Sequence, residues 1–367
     1  MDLKDRRARY QAIEDYRKRP LIVYATTTRP GVGAMMAGDA VREFVDQIDA
    51  IKEGNAVDIL LHSTGGDPLT AWKLMSLLRE RFQNVGVLVP FMAFSAATLF
   101  TLGADEIVMH PHASLGPIDP QISITQPDGK TRQFAYEDVG AFLRFLDSEA
   151  KITEQTHVST IIDKLFSVVD PINVGGAKRA SELSSAVGER LLLFHMTSDE
   201  EAPRAKQIAE NLNKSFFAHG DAVSRTRAME LHLKVKASER ELEELIWEAY
   251  VGLESYFEIR TPFNLLQHYL ADPAAAAAVR LPAPVAMPPN TPPQLAQQVW
   301  QAAAQQAIQS LANAGVEVPY TVANAVIEST RVASGFSTSG KLQGFRNING
   351  EIQLSAIDTM SGWKTIT

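Results

Sequence analysis

The sequence contains no cysteine among its 367 residues. That absence excludes disulfide bonds, thiolate zinc sites, iron–sulfur clusters and a cysteine nucleophile. The N-terminal segment also lacks the apolar stretch of a secretory signal, because mixed charges continue up to Pro20. These two absences together predict a protein of a reducing cytoplasm.

The chain has no excess of positive charge. It carries 43 Asp and Glu against 35 Lys and Arg, for a net charge of −8 and an isoelectric point near 5.6. Such a balance argues against nucleic acid as a main partner. With 45% hydrophobic and 21% charged residues, the composition is typical of a globular protein and excludes a disordered or collagen-like chain.

One uncharged stretch has the length of a membrane span. Residues 85–104 carry no formal charge over about the 20 residues that a bilayer requires. Pro90 and Ser95 interrupt this stretch, and the residues before Pro90 are rich in valine. This pattern favours a strand, a turn and a buried helix, so we predict no membrane span.

Strands and helices alternate through the first third of the chain. This alternation predicts βαβ units and a largely parallel sheet, and therefore an α/β fold. The predicted strands are residues 21–25, 57–62, 85–89 and 106–109, and the helices between them are residues 39–48, 70–82 and 95–102.

Helical patterns dominate after Asp119, and the composition changes again at Pro273. Residues 273–294 hold seven of the 19 prolines, which predicts a semi-rigid linker. The Asn349-Gly350 pair predicts a hairpin turn. We predict five regions: an N-terminal helix with a solvated or partner-facing charged surface (1–19), a core (20–200), a helical extension (201–272), the linker (273–294), and a small α+β segment of one helix and short strands (295–367).

The first candidate site is the sequence Ser63-Thr64-Gly65-Gly66, at the end of a predicted parallel strand. A double glycine allows a tight turn and leaves backbone N–H groups at the sheet edge where α/β folds bind ligands. Those N–H groups could hold an oxyanion. A plain strand-to-helix turn is the alternative.

The second candidate is Ser95, which stands before two alanines at the start of an apolar helix. Small neighbours allow close approach of a substrate, and a helix N-terminus favours developing negative charge. The N–H of Ala96 could then share an oxyanion with Gly66. The alternative is an N-cap serine that bonds its own helix.

The histidines give weaker signals. His110 and His112 alternate in a proline-containing loop and could bind a metal only with a further ligand nearby. His62 stands beside the glycine turn, where it could line the pocket or serve as a base. We assign no metal and no cofactor.

Four segments in this order, residues 62–68, 94–99, 102–109 and 115–121, resemble the serine dehydrogenase proteinase family. That family is related to signal peptide peptidase A and, more distantly, to the Clp protease proteolytic subunit and the crotonases. The resemblance implies a Clp/crotonase-like core with mainly helical additions. It also implies a serine peptidase that acts on peptides or unfolded proteins.

By this resemblance Ser95 is the nucleophile, and Gly65, Gly66 and Ala96 form the oxyanion hole. Asp119 takes the position of the Clp histidine, but a carboxylate is a poor base for a serine. Signal peptide peptidases use a desolvated lysine instead, which must be neutral to accept a proton. Lys178 is our preferred base, and the alternatives are Lys130, Lys151 and Lys164.

The family also implies a homo-oligomer, with contacts expected near the helix of residues 2–19 and after Pro293. Two other functions stay open. One is an inactive peptide-binding or scaffold protein that keeps the crevice. The other is a crotonase-like acyl-CoA enzyme that uses the same oxyanion hole.

Overall fold

A computed structural model describes residues 1–125, 129–214, 222–279, 292, 295, 297–302, 316–346 and 351–367. Its strands are β1 (Leu21–Thr26), β2 (Ala56–His62), β3 (Asn84–Val89), β4 (Met92–Ala93), β5 (Glu106–Met109), β6 (Ser114–Leu115), β7 (Gln121–Thr125), β8 (Thr131–Ala135), β9 (Val223–Ser224), β10 (Glu317–Glu328), β11 (Ala333–Arg346) and β12 (Ile352–Thr365). Its helices are α1 (Leu3–Arg17), α2 (Ala40–Ala50), α3 (Pro68–Arg81), α4 (Ala96–Leu102), α5 (Tyr136–Arg144), α6 (Gln155–Phe166), α7 (Pro171–Leu192), α8 (Ala202–Lys214), α9 (Arg225–Glu230), α10 (Arg240–Phe257), α11 (Leu265–Ala271) and α12 (Pro273–Ala278). A π-helical turn, Phe145–Glu149, follows α5.

The main sheet has seven strands in the order β12-β11-β10-β1-β2-β3-β5. Strands β1, β2, β3 and β5 are parallel, and β10, β11 and β12 add to β1 in antiparallel order. The predicted α/β fold with a parallel core is therefore confirmed.

Alternate residues of the central strands enter two separate cores, because successive side chains of a strand point to opposite faces. Ile22 and Tyr24 of β1 pack in a core with α2, α3 and α4. Leu21 and Val23 pack in a second core with α1 and α10. The sheet thus carries helices on both faces. Because both faces of the central strands are buried, their sequences are continuously apolar rather than alternating.

Three predicted regions differ from the structure. Helix α10, assigned to an extension, covers one face of the central sheet and belongs to the core. The C-terminal strands are 12 to 14 residues long rather than short, and they extend the same sheet. The predicted linker begins with helix α12, which starts there because the Asp272 side chain caps it. Ala275 of this helix is buried.

Two predictions fall partly outside the described residues. Most of the predicted helix at residues 295–314 and of the linker lies there, and so do Asn349 and Gly350. Strands β11 and β12 on either side of that turn pair antiparallel, with Arg346 opposite Ile352. The predicted hairpin pairing is therefore confirmed, although its turn is outside the described part.

The helix predicted to present a charged surface at residues 2–19 also has a buried side, which includes two of its charged residues, Arg6 and Glu14. Tyr10 and Ile13 of α1 lie in the second core. Arg6 is 1% exposed, and its Nε and Nη2 donate to the two carboxylate oxygens of Glu328, each at 2.7 Å. The Tyr10 hydroxyl donates to the same carboxylate at 2.6 Å. This network joins α1 to the end of β10, so α1 is held within its own chain.

Replacing Arg6 by Met should destabilise the fold strongly, because Glu328 would stay buried with an uncompensated charge. We expect a loss of about 3–5 kcal/mol in the free energy of unfolding. Urea denaturation of the purified protein measures it. Lys4→Met, at an exposed position of the same helix, is the matched control. Equal stability of the two variants would contradict a structural role for this ion pair.

Candidate active site

The glycine turn after β2 is fixed by hydrogen bonds to Ser63 and Met36. Gly65 and Gly66 have φ values of +100° and +153°, which L side chains rarely adopt. The Gly65 N–H donates to the Ser63 Oγ at 3.0 Å, and the Gly65 carbonyl accepts from the Met36 N–H at 2.7 Å. Gly65 therefore has no spare N–H for a ligand, in contrast to the predicted three-donor oxyanion hole.

Ser95 stands at a strained turn between β4 and α4. Its φ of 52° and ψ of −119° are rare for a residue with a side chain, so the surrounding structure must hold this conformation. The nucleophilic serines of α/β-hydrolases occupy a strained strand-to-helix turn of this kind. In the described part of the chain, the Ser95 side chain makes no capping hydrogen bond. The geometry thus disfavours the N-cap alternative.

A short parallel pairing brings the glycine turn to Ser95. Ser63 pairs with Ala93: the Ser63 N–H donates to the Met92 carbonyl at 3.1 Å, and the Phe94 N–H donates to the Ser63 carbonyl at 3.0 Å. The two turns then lie so close that a Cβ on Gly65 would be 2.7 Å from the Ser95 Cβ. Only glycine fits this position.

Two backbone N–H groups at this junction are unused. The Met36 N–H donates to the Gly65 carbonyl, and the Asp67 N–H donates to the Met36 carbonyl. In this parallel pairing the Gly66 N–H points away from Met36. Ala96 is the first residue of α4, so its N–H has no partner within the helix. Within the described residues, neither N–H donates a hydrogen bond. Beside a serine hydroxyl, such a pair can stabilise an oxyanion.

A crevice of about 430 Å³ opens at Ser95. Its walls come from the glycine turn, the start of α4, the segment after β6, the β7–β8 hairpin and α7. Thr98 fixes one wall, because its hydroxyl lies 2.6 Å from the Ala93 carbonyl and accepts from the Gly116 N–H. The lining residues are Ala34, Met35, Thr64, Gly65, Gly66, Pro68, Ser95, Leu99, Ile118, Pro120, Gln121, Gln133 and Ser184.

None of these described lining residues is titratable. The structure does not bring Lys178 to Ser95: its ammonium is 3.8 Å from Glu182 on the exposed side of α7, and it lines another cavity. Helical periodicity explains the difference, because Ser184 of α7 faces the crevice while Lys178 lies on another face. Gly175 and Gly176, which precede Lys178, are inside α7 and form no turn there.

The other candidate bases lie outside the crevice as well. Asp119 is half-buried at its edge, where it accepts a hydrogen bond from Gln121. Lys130, Lys151 and Lys164 are exposed. Lys130 is the lysine nearest in sequence to a lining residue, since it precedes β8 and Gln133.

His62 does not line the pocket. It is fully buried on the opposite face of the sheet, with its ring centroid 5.0 Å from that of Tyr250, and neither ring nitrogen has a hydrogen-bond partner among the described residues. Burial lowers the pKa of His62 to about 4. His110 and His112 also lie beside α10, where both rings contact Trp247.

Sequence reasoning missed the β7–β8 hairpin, which contributes Gln121 and Gln133 to the crevice. The alternation of Gln121-Ile122-Ser123-Ile124 was a usable signal for the first strand. The contribution of Ser184, 89 residues after Ser95, had no such signal.

A serine beside two free N–H groups is the arrangement of enzymes that transfer acyl groups through an oxyanion. Residues 34–131 match the family model described as ClpP-like SDH-type serine proteinase. This match covers the glycine turn and Ser95, and it confirms the resemblance found in the motifs.

Two curated relatives are uncharacterized proteins of Methanocaldococcus jannaschii. One is 25% identical over 196 residues, which are 53% of this chain and 57% of the relative. The other is 36% identical over 80 residues, which are 22% of this chain and 28% of the relative. The chain therefore spans little more than half the length of one relative and less than a third of the other.

The comparison with solved structures matches, among others, two proteases. A mutant of the 1510-N membrane-bound stomatin-specific protease is 15% identical with a TM-score of 0.35, and the match covers 60% of this chain and 82% of that one. A ClpP1 mutant from Listeria monocytogenes is 11% identical with a TM-score of 0.33, and the match covers 63% and 98%. Scores below 0.5 leave the function to be argued from the site itself.

Among the described residues, no helix is long and apolar enough to cross a membrane.

The buried His62 should make stability depend on pH. The unfolded chain binds a proton near pH 6.5 and the folded chain only near pH 4, so stability falls as the pH drops between these values. The difference of about 2.5 pKa units corresponds to about 3 kcal/mol. His62→Leu should remove this part of the pH dependence of the free energy of unfolding. Parallel curves for the two proteins would contradict the assignment.

A side chain at the glycine turn should disturb Ser95. In Gly65→Ala the new Cβ would lie 2.4 Å from the Phe94 carbonyl oxygen, so the turn or Ser95 must move. We expect a loss of stability, measured by thermal unfolding, together with loss of any reactivity at Ser95. Gly54→Ala is the control, because it also has positive φ but meets open space. An equal effect of both variants would mean that backbone strain alone is responsible.

Proposed function

We propose that this chain is a serine peptidase whose nucleophile is Ser95. The observation that carries the proposal is the strained Ser95 turn next to the free N–H groups of Gly66 and Ala96. The match of residues 34–131 to a serine proteinase family supports it.

The proposed reaction begins with attack of the Ser95 Oγ on a peptide carbonyl carbon. The carbonyl π electrons move to oxygen, and the Gly66 and Ala96 N–H groups donate to the resulting oxyanion. A base takes the hydroxyl proton and gives it to the leaving amine as the C–N bond breaks. Water then hydrolyses the acyl-enzyme by the same steps.

The base is proposed to be a lysine, as in signal peptide peptidases. Its pKa must fall from about 10.4 to near 7–8, which requires a desolvated position. Since the described crevice has no titratable side chain, the lysine must approach from outside it. The position of Lys130 before β8 favours it over Lys178, Lys151 and Lys164, because Gln133 of β8 already lines the crevice.

The substrate is proposed to be a peptide with uncharged side chains at the cleavage site. Leu99, Ile118 and Met35 give the crevice an apolar wall, and Gln121 and Gln133 offer amides without charge. A buried charge would have no partner there.

A fluorophosphonate probe tests the nucleophile, since only an activated serine should react with it. Ser95→Ala should abolish labelling and reduce peptidase activity on the order of 10³-fold, while the fold stays intact because only one hydroxyl is lost. Ser76→Ala, in α3 and outside the crevice, is the control. Labelling of Ser95→Ala at the wild-type level would exclude this mechanism.

A panel of four variants tests the base: Lys130→Arg, Lys151→Arg, Lys164→Arg and Lys178→Arg. An arginine cannot lose its proton, so the variant of the true base should be inactive yet folded. Wild-type activity should rise with pH along a limb set by that lysine. If all four variants keep full activity, the Ser/Lys mechanism is wrong.

The second candidate function is a peptide-binding protein without catalysis. The lack of a titratable group among the described crevice residues supports it. It predicts that apolar peptides bind the wild-type protein while no fluorophosphonate labelling occurs at any pH.

A further inference from the structure

Strand β10 carries one extra residue where it pairs with β11. The pairing register shifts between Ala323 and Ala325, so Asn324 between them forms a β-bulge. A bulge interrupts regular pairing and turns a side chain in a new direction, and bulges are frequent next to active sites. Asn324 is 8% exposed, so its amide makes its contacts from a buried position.

The bulge brings Asn324 into contact with the loop between β1 and α2. Its backbone carbonyl accepts from the Thr27 N–H at 2.7 Å, and its side-chain Nδ2 donates to the Gly33 carbonyl at 2.8 Å. One residue therefore holds two points of this loop. The Asn324 Oδ1 is buried and has no hydrogen-bond partner among the described residues, which costs free energy. The side chain thus contributes through its donor group.

The same loop continues from Gly33 to Met36, and Met36 fixes the glycine turn. The Met36 N–H donates to the Gly65 carbonyl at 2.7 Å, and the Met36 carbonyl accepts from the Asp67 N–H at 2.8 Å. A Cβ on Gly66 would overlap the Met36 backbone, so the two backbones are in direct contact. The position of the Gly66 N–H is therefore set by where the loop places Met36.

We propose that Asn324 is a positioning residue for the oxyanion donor Gly66. It holds the loop at Gly33, three residues before Met36, and Met36 in turn holds the glycine turn. Asn324 lies outside residues 34–131, the part of the chain that matches the family model. The antiparallel strands that extend the sheet thus support the site at the edge of its parallel core. This inference rests on the proposed peptidase function, because it assigns Gly66 a role in that reaction.

Two substitutions of Asn324 test this contact. In Asn324→Leu the side chain keeps a similar shape but loses its donor and the unpaired oxygen, so the fold should stay intact while the contact with Gly33 is lost. In Asn324→Asp the size is kept and an oxygen replaces the donor, which repels the Gly33 carbonyl. Asn55→Leu is the matched control, because Asn55 donates one side-chain hydrogen bond, to Gln83, just before the start of β2 and away from the glycine turn.

Hydrogen–deuterium exchange detects the effect on the glycine turn without any reaction. In both Asn324 variants the N–H groups of Met36 and Asp67 should exchange at least roughly tenfold faster, because their pairing opens more often. The Phe94 N–H, which donates to Ser63, should keep its wild-type rate. Unchanged exchange of Met36 and Asp67 would overturn the proposal. Equal acceleration at Phe94 would overturn it too, since Asn324 would then support the whole fold.

Fluorophosphonate kinetics test the consequence for Ser95. The phosphoryl oxygen of the probe takes the place of the oxyanion, so the rate constant of labelling depends on the Gly66 donor. We expect this rate constant to fall on the order of 10- to 100-fold in both Asn324 variants, with an unchanged final extent of labelling. For a peptide substrate, kcat should fall more than KM rises. A mere loss of folded protein would reduce the extent of labelling and leave the rate constant unchanged.

The two measurements separate this proposal from the proposed function. If the wild type never labels but Met36 and Asp67 exchange faster in the variants, the peptidase function fails and Asn324 still positions the glycine turn. If the wild type labels and both variants label with the same rate constant, the peptidase function stands and the positioning role of Asn324 is wrong.

Discussion

The pairing of Ser63 with Ala93 is the constraint on which the site depends. Two hydrogen bonds of about 3 Å join the end of β2 to the short strand β4, and they fix the glycine turn against the start of α4. Because Gly65 has no Cβ, the Ser95 backbone can approach it in a conformation that other neighbours would forbid. The pairing brings together two N–H groups that are unpaired for separate reasons: Gly66 lies opposite Met36, and Ala96 is the first residue of α4.

The two faces of the central sheet differ in what packs on them. The face that carries α3 and α4 holds the crevice, while α1 and α10 cover the other with an apolar core. His62 belongs to the second face, where burial lowers its pKa and favours its neutral form. The Arg6–Glu328 pair ties α1 to β10, so the N-terminal and C-terminal parts of the chain close one structure.

The proposed chemistry separates into a part that is built and a part that must be supplied. The proposed nucleophile, Ser95, and the proposed oxyanion donors, Gly66 and Ala96, lie together at one edge of the sheet. No proton acceptor lines the described crevice, and the candidate lysines lie on the β7–β8 hairpin, on the helices that follow or between them. The proposed activity therefore depends on whether one of those segments places a lysine beside Ser95.

The sequence by itself determined the alternation of strands and helices, the parallel core, the glycine turn and the position of Ser95. These features are local, or follow from alternation of apolar residues, so short segments such as Ser63-Thr64-Gly65-Gly66 carry them. Only the tertiary structure decided that the Gly65 N–H donates to Ser63 and that His62 lies on the face of the sheet opposite the crevice. It also decided that Lys178 lies apart from Ser95 and that the C-terminal strands pair with β1. Each of these depends on which residues distant in sequence become neighbours, and a periodic pattern says which face a residue takes but not what covers that face.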